Sequence, residues 1–70
     1  MSDAVFRLNA ETIELFKLLK ATGFCESGGQ AKYAIEQMQV KVDGQVETRK
    51  ACQVRRGQQV EYAGQIIRVE

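Results

Sequence analysis

A helix with a clear start, followed at once by a tight hairpin, is the feature that most limits how this chain can fold. Ala31, Ala34, Ile35 and Met38 recur at the spacing of one helix face, which predicts a helix that packs this stripe against a core. Ser27 precedes the stripe, and its hydroxyl can accept a hydrogen bond from a free backbone N–H at the helix start. We therefore predict a helix that begins after Ser27 and ends near Met38.

The first turn of this helix contains two glycines. Gln30 stands three residues after Ser27, so its side chain is expected to reach back to the N–H of Ser27 and complete a capping box. Gly28 and Gly29 occupy the first two positions, where each costs up to about 1 kcal/mol relative to alanine. Either they let a phosphate approach the free N–H groups, or they relieve crowding at the joint with the preceding helix. The sequence alone slightly favours the second account, because glycine serves tight turns as readily as ligands.

Beyond residue 39 the polarity alternates, which predicts strands. Val40, Lys41 and Val42 form one such segment, and Asp43-Gly44 is a strong signal for a hairpin turn. Because strand side chains point alternately to opposite faces, Lys41 should face away from the two valines. The later pattern predicts further short strands, which are residues 45–47, a strand that starts at residue 54, and residues 59–62 and 65–69 around a turn.

The residues before Ser27 predict an edge strand and a first helix. Residues 5–8 favour a short strand, and the residues from Thr12 onward follow a helical pattern that should end at about Thr22. Gly23 can then take the left-handed conformation that ends many helices. These elements predict an α+β fold, with two short packed helices followed by a small, twisted, mainly antiparallel sheet with hairpins.

The length of the chain limits both its core and its chemistry. Seventy residues predict one domain that spans residues 1–70 and has only a small core. A hydrophobic content of 44% and a charged content of 27% are typical of a folded chain. No apolar run approaches the roughly 18 residues of a membrane span, and no signal peptide is recognisable. We expect a cytoplasmic monomer that does not enter a membrane.

The residue types exclude most catalytic and metal sites within one chain. The sequence has two cysteines and no histidine, so it cannot build a zinc site from four Cys and His ligands or a nucleophile activated by histidine. The carboxylates are scattered over positions that should be exposed. We therefore predict that the protein is not an enzyme and needs no cofactor or metal. A thiol-based redox role for Cys25, which precedes a helix start, stays open as an alternative.

The distribution of charge suggests a nucleic-acid partner more than the total charge does. The net charge is only +1, but residues 17–56 carry eight basic and four acidic residues, a net charge of +4, while the two ends together carry −3. Tyr33 falls on the polar side of the second helix, where an aromatic ring could stack on an unpaired base. Composition alone nevertheless favours an ordinary solvated surface of mixed charge over a binding surface, since lysine and arginine are exposed in most proteins.

The order of the motifs resembles that of a known family. The likeness rests on a series that comprises Leu15 to Leu19, Gly23, Ser27, Ala31, Ile35, Val40-Lys41-Val42-Asp43-Gly44, Val54 and Gly57. This series is similar to the RNA-binding domain first described in ribosomal protein S-four, also called the alpha-L motif. Residues 26–32, 41–44 and 47–50 resemble more closely its stand-alone bacterial branch, called YbcJ-like. The match covers about residues 13–70.

The resemblance implies that the two helices and the hairpin form an L-shaped, positively charged face that grips structured RNA. Two positions depart from the broader family, which commonly has arginine where this chain has Gly28 and aspartate where it has Gln58. The first departure removes an expected phosphate contact. Lys32 and the Arg49-Lys50 pair would then have to compensate.

Together, the residues and the resemblance lead to the hypothesis of a non-catalytic RNA-binding module. Its partner would be structured RNA, rRNA or tRNA, contacted through phosphate and shape more than through sequence. The candidate contact residues are Lys32, Lys41, Arg49 and Lys50 at the centre, Lys20, Arg55 and Arg56 at the margin, and Ser27, Gly28, Gly29 and Gln30 as a phosphate seat. The alternative is a small protein-interaction module of a ribosome-associated or RNA-processing complex.

Overall fold

The computed structural model describes residues 3–70 and contains two helices among short strands. In chain order, the elements are β1 (Asp3–Phe6), β2 (Thr12–Glu14), α1 (Leu15–Ala21), α2 (Gly28–Glu36), β3 (Val40–Val42), β4 (Gln45–Val46), β5 (Gln53–Arg55), β6 (Gln59–Tyr62) and β7 (Gln65–Val69). The α+β class is thus confirmed.

The strands form two sheets. Five of them pair in the order β1-β7-β6-β3-β4, in which only the β1–β7 pair is parallel. Strands β2 and β5 form a separate antiparallel pair. The mainly antiparallel sheet predicted from the alternating polarity is therefore confirmed, although one edge strand joins it in parallel.

The core lies between the two helices and one face of the larger sheet. Strands β3, β6 and β7 each supply a fully buried side chain from this face, namely Val40, Val60 and Ile67. The helices supply the opposing apolar residues, which are Leu15, Leu18, Leu19, Ala31, Ala34 and Ile35. The other face of the sheet does not belong to this core and carries Lys41, as the alternation of the strand predicts.

Both hairpins of the sheet turn through residues in the left-handed region. Asp43 and Gly44 have φ of 51° and 84°, which is the pattern of a two-residue turn that matches the strand twist. The Asp43 carboxylate accepts hydrogen bonds from the N–H of Gln59 and the side chain of Gln58, at 2.9 and 3.0 Å. Those bonds lower the pKa of Asp43. Gln58, one of the two departures from the broader family, therefore ties this turn to strand β6.

The predicted start of the first helix is wrong by three residues. Thr12–Glu14 is strand β2, and the helix begins only at Leu15. The β-branched residues at 12 and 13 pair with β5, and the Thr12 hydroxyl donates a hydrogen bond of 2.6 Å to Gln53. A partner strand distant in sequence thus overrides the helical period. The first predicted strand is also shifted, since β1 covers Asp3–Phe6 where residues 5–8 were expected.

The second helix ends earlier than its apolar stripe predicts. It stops at Glu36, and Met38 lies in the left-handed region with φ of 59° and a 65% exposed side chain. The N–H groups of Met38 and Gln39 donate to the carbonyls of Ile35 and Ala34, which is the hydrogen-bond pattern of a Schellman cap. Met38 is therefore a helix-ending residue and not part of the core.

No helix within residues 3–70 is long and apolar enough to cross a membrane.

Candidate nucleic-acid interface

The start of α2 presents backbone donors that the fold leaves unused. The Ser27 hydroxyl accepts a hydrogen bond from the N–H of Gln30 at 3.1 Å, as the N-cap prediction requires. The Gln30 side chain bonds to the N–H of Glu26 at 2.7 Å instead of the predicted N–H of Ser27. The N–H groups of Gly28 and Gly29 donate no hydrogen bond within the described residues. They stand at the positive end of the helix dipole.

The two glycines are not required by steric crowding. A Cβ atom at Gly28 would lie 3.8 Å from Cδ2 of Phe16, and one at Gly29 would lie 3.9 Å from the Ser27 hydroxyl oxygen. Both distances are ordinary van der Waals contacts, and neither glycine has a positive φ. The account in which glycine relieves crowding at the joint of the helices therefore finds no support in the geometry.

Lys32 is held close to this helix start by an aromatic ring. Its Nζ lies 4.7 Å from the ring centroid of Phe16, and Nζ of Lys17 lies 5.9 Å from the same ring. Such cation–π contacts stabilise an exposed ammonium by about 0.5–1 kcal/mol. Phe16 is also the neighbour of Gly28, so the ring links the Lys32 ammonium to the free amides. We call Phe16, Gly28, Gly29 and Lys32 the α2 site.

The loop between β4 and β5 carries two basic residues that are already paired with acids. The guanidinium of Arg49 contacts both carboxylate oxygens of Glu47, at 2.9 and 3.3 Å, and its backbone N–H adds a bond of 3.0 Å. The Arg49 side chain is the main reason why the pKa of Glu47 falls from 4.5 to about 2. Nζ of Lys50 lies 2.8 Å from the Glu36 carboxylate on α2. We call residues 47–52 the basic loop.

The fold places the α2 site and the basic loop side by side. The first two N–H groups of α1 donate to this loop, from Leu15 to the carbonyl of Cys52 at 2.9 Å and from Phe16 to the carbonyl of Lys50 at 3.2 Å. The loop thus caps α1, whose Phe16 ring carries Lys32. Lys32, Lys50 and the two glycines are therefore brought together by α1.

The remaining candidates lie around this centre in different settings. Lys20 is exposed in the last turn of α1, where a cation also complements the helix dipole. Arg55 ends β5 opposite Thr12. Arg56 donates two hydrogen bonds to the carbonyl of Leu8, at 2.7 and 3.1 Å. Lys41 lies on the outer face of the larger sheet, directly opposite Glu61, and so projects away from the helices.

Two residues near Lys32 were not among the predicted site residues. The first is Phe16, whose ring supports Lys32. Lys17 lies beside the same ring and forms an ion pair of 2.9 Å with Glu14. An aromatic residue at the edge of an apolar stripe, followed by a lysine, is the sequence signal that could have suggested this arrangement.

The two cysteines show no sign of activation. Both are free, and burial raises the pKa of Cys25, although a hydrogen bond with Tyr62 acts in the opposite direction. Burial is also the main cause of the raised pKa of Cys52, with the negative charge of Glu47 as the next. Because reactive thiols need a lowered pKa, this arrangement does not support the redox alternative. Residues 3–70 contain no cluster of three or more groups that could hold a metal.

Comparison with known proteins gives a consistent set of relatives. The family model described as S4 domain matches residues 6–70. The putative RNA-binding protein YbcJ of Escherichia coli is 56% identical over 57 residues, which are 81% of each chain, and the uncharacterized protein YbcJ of Shigella flexneri matches equally well. The solution structure of E. coli YbcJ, described as revealing an alpha-L motif involved in RNA binding, aligns with a TM-score of 0.72 and 51% identity. The alignment covers 94% of this chain and 85% of that one.

Proposed function

This chain belongs to the S4-domain family, and on that premise we propose that it is a non-catalytic module that binds structured RNA, with rRNA or tRNA as the target class. The observation that carries the proposal is the α2 site, where two free amides at a helix start lie beside a lysine held in place by a ring. The description of the E. coli relative as a putative RNA-binding protein supports it.

The α2 site has the chemistry of a phosphate seat. Free N–H groups at a helix start and the positive end of the helix dipole both favour an anion. Gly28 and Gly29 leave the backbone open to close approach. Lys32 adds a full positive charge. Because its contact with the Phe16 ring already restricts the lysine side chain, less conformational entropy is lost when a phosphate binds. The Ser27 cap and Gln30 keep the first turn in place around the two free amides.

The basic loop would contribute through an exchange of partners. Arg49 and Lys50 each contact a carboxylate and are substantially exposed, with 78% and 45% of their side-chain surface accessible. Ion pairs that are exposed on both sides contribute only about 0.2–1 kcal/mol, so an RNA phosphate can replace Glu36 at small cost. Replacing Glu47 costs more, because its side chain is only 16% exposed and also accepts the backbone N–H of Arg49. Lys20 and Arg55 would serve as further phosphate contacts around this centre. Arg56 would have to give up its hydrogen bonds to Leu8 first, and Lys41 would contact only a part of the RNA that reaches the outer face of the sheet.

The proposal extends to the setting in which the protein works. We take residues 1–70 as one RNA-binding domain that acts as a cytoplasmic monomer. The charge pattern, positive over residues 17–56 and negative at the ends, would orient a single domain with its basic part toward the RNA backbone.

The test is binding to a structured rRNA or tRNA fragment across a series of salt concentrations. Phosphate contacts release counterions, so log affinity should fall linearly with log salt. A variant with Arg49→Glu and Lys50→Glu should bind more weakly to many RNA sequences and show a shallower slope. A variant with Arg7→Glu and Arg68→Glu has the same net charge and changes two exposed residues outside the proposed site, so it is the matched control. Equal losses in both variants would reject the assignment of the basic loop, and no binding by the unmodified protein would reject RNA binding.

A protein-interaction module is the second candidate, because the outer face of the sheet carries exposed apolar residues. Val5 on β1 and Val46 on β4 are 55% and 48% exposed, and both lie on edge strands. Edge strands and apolar patches are common docking sites for other proteins. Co-purified proteins that remain bound after nuclease treatment, and are lost when Val5 and Val46 are replaced by lysine, would favour this candidate.

A further inference from the structure

The two tyrosines of the chain stand in opposite environments. Tyr62 on β6 packs against the core and shares a hydrogen bond with the Cys25 thiol. Tyr33 on α2 is 62% exposed, and its hydroxyl forms no hydrogen bond within the part of the chain that the structure describes. Tyr62 therefore has a structural role, whereas the fold makes little use of the Tyr33 ring.

The space beside Tyr33 is left open by a glycine. Residues four apart on a helix are neighbours, with about 5–6 Å between their Cβ positions, and helical side chains lean toward the helix start. The residue one turn before Tyr33 is Gly29, which has no side chain to cover the ring. A Cβ atom at Gly29 would itself meet only the Ser27 hydroxyl within 4 Å. The ring thus has no side chain one helical turn before it, toward the helix start that carries the free amides.

From this arrangement we propose that Tyr33 stacks on an unpaired base of the bound RNA, next to the phosphate held by the α2 site. The inference rests on the proposed RNA binding and makes its ligand more specific. Bases inside a duplex are covered on both faces by their neighbours, so only a bulged, looped or terminal base can offer a face to the ring. The ligand is then an RNA in which an unpaired nucleotide adjoins a structured backbone.

The charges around the ring fit an RNA partner. Lys32 precedes Tyr33 in the chain, and Lys50 forms an ion pair with Glu36, three residues after Tyr33 on the same helix. An exposed aromatic ring on a helix that also holds these two cations fits a nucleotide, which has a negative phosphate and an apolar base face. Stacking is tolerant of base identity, so the site selects an unpaired nucleotide without reading its sequence.

The test compares two RNA duplexes that differ by one bulged adenosine. The unmodified protein, Tyr33→Phe and Tyr33→Ala are each titrated with the bulged and the fully paired duplex at several salt concentrations. Tyr33→Ala should lose about five- to a hundredfold in affinity for the bulged duplex and little for the paired one. The slope of log affinity against log salt should be unchanged, since no phosphate contact is lost. Tyr33→Phe, which keeps the ring, should bind as the unmodified protein does.

The outcomes separate the inference from the proposal on which it rests. If the unmodified protein binds neither duplex, RNA binding and base stacking both fall. If it binds with the expected salt dependence but Tyr33→Ala keeps full affinity for the bulged duplex, only the stacking role is rejected. An equal loss on both duplexes, or a shallower salt slope, also contradicts stacking, because either result would mean that Tyr33 supports the phosphate contacts. When 2-aminopurine replaces the bulged adenosine, its fluorescence should be quenched on binding of the unmodified protein but not on binding of Tyr33→Ala.

Discussion

The α2 site and the basic loop are adjacent, yet they hold their positive charges in different ways. Lys32 lies over a neutral ring and forms no ion pair with residues 3–70, so its charge is available to a ligand. Arg49 and Lys50 each contact a carboxylate at 2.9 Å or less. A phosphate gains the whole attraction of Lys32, but at the loop it gains only the difference between itself and the carboxylate that it displaces.

Residue type thus predicts where charge is present but not whether it is free to bind a ligand. All three residues were assigned the same role from the sequence. The acidic partner of Lys50 could not be predicted from neighbouring positions, because it is Glu36, which lies fourteen positions earlier on another element. We therefore expect Lys32 to contribute more to RNA binding than Lys50 does.

The largest expected effect is the difference between neutralising these two lysines. Lys32→Gln should lower the affinity for structured RNA by roughly tenfold, as for a charged hydrogen bond of about 1.5 kcal/mol. Lys50→Gln should lower it by less, because part of the charge is already offset by Glu36. Binding titrations at one salt concentration decide the order, with Arg68→Gln, an exposed position outside the site, as the control. A greater loss for Lys50→Gln would invert the comparison.

Gly28→Ala should stabilise the protein and weaken its binding. Alanine is favoured in helices by up to about 1 kcal/mol, and its Cβ fits at 3.8 Å from Phe16, but it obstructs a phosphate at the free amides. Thermal unfolding and RNA titration measure the two effects. Gly64→Ala should instead destabilise the protein by about 1 kcal/mol, since Gly64 has φ of 77°, and should leave RNA affinity unchanged, because this hairpin turn lies outside the site. Unchanged RNA affinity in Gly28→Ala would remove the glycines from the phosphate seat.

Removing the acid that pairs with Lys50 should improve binding. Glu36→Gln frees the Lys50 ammonium and removes a negative charge that would repel an RNA phosphate bound there. The gain should reach at most about fivefold, which corresponds to the 0.2–1 kcal/mol of an exposed ion pair. Asp3→Asn, which neutralises an exposed acid on edge strand β1 outside the proposed site, is the matched control for net charge. An equal gain in both variants would show that total charge, and not the release of Lys50, determines the effect.

The contact between Glu47 and Arg49 should make stability depend on pH in the acid range. The pKa of Glu47 is 4.5 ordinarily and about 2 in the folded protein, so the folded state favours the ionised carboxylate. Its stabilising contribution is complete above pH 4.5 and is lost as the pH falls from 4.5 toward 2. Urea unfolding across this range should show the loss in the unmodified protein and a smaller one in Glu47→Gln. Identical pH profiles would mean that the ion pair contributes nothing to stability.

The fold was largely predictable where local signals decided the structure. The Ser27 cap, the apolar face of Ala31, Ala34 and Ile35, and the Asp43-Gly44 turn are all observed. Each depends on residues within a few positions of one another, and such signals can be read directly from a sequence.

The errors arose where distant partners decide. Strand β2 exists because β5 pairs with it from forty residues further along the chain, although Thr12–Glu14 also fits a helical period. Met38 is the exception, because it matched the apolar stripe but a local Schellman cap within residues 34–39 turns it out to solvent. In the site, the position of Lys32 depends on Phe16 of another helix. The pairing of β2 with β5 and the contact between Lys32 and Phe16 join residues too far apart for a local periodicity to reveal them.

The most direct test of the α2 site as the RNA-binding centre is an NMR titration of the labelled protein with a structured RNA fragment. We expect the amide signals of Gly28 and Gly29 to move most, together with the side-chain signals of Lys32. Gln59 and Arg68, which pair with each other on the outer face of the sheet, should move little. The account would be contradicted if the RNA bound, the outer-face signals moved, and those of Gly28 and Gly29 stayed in place.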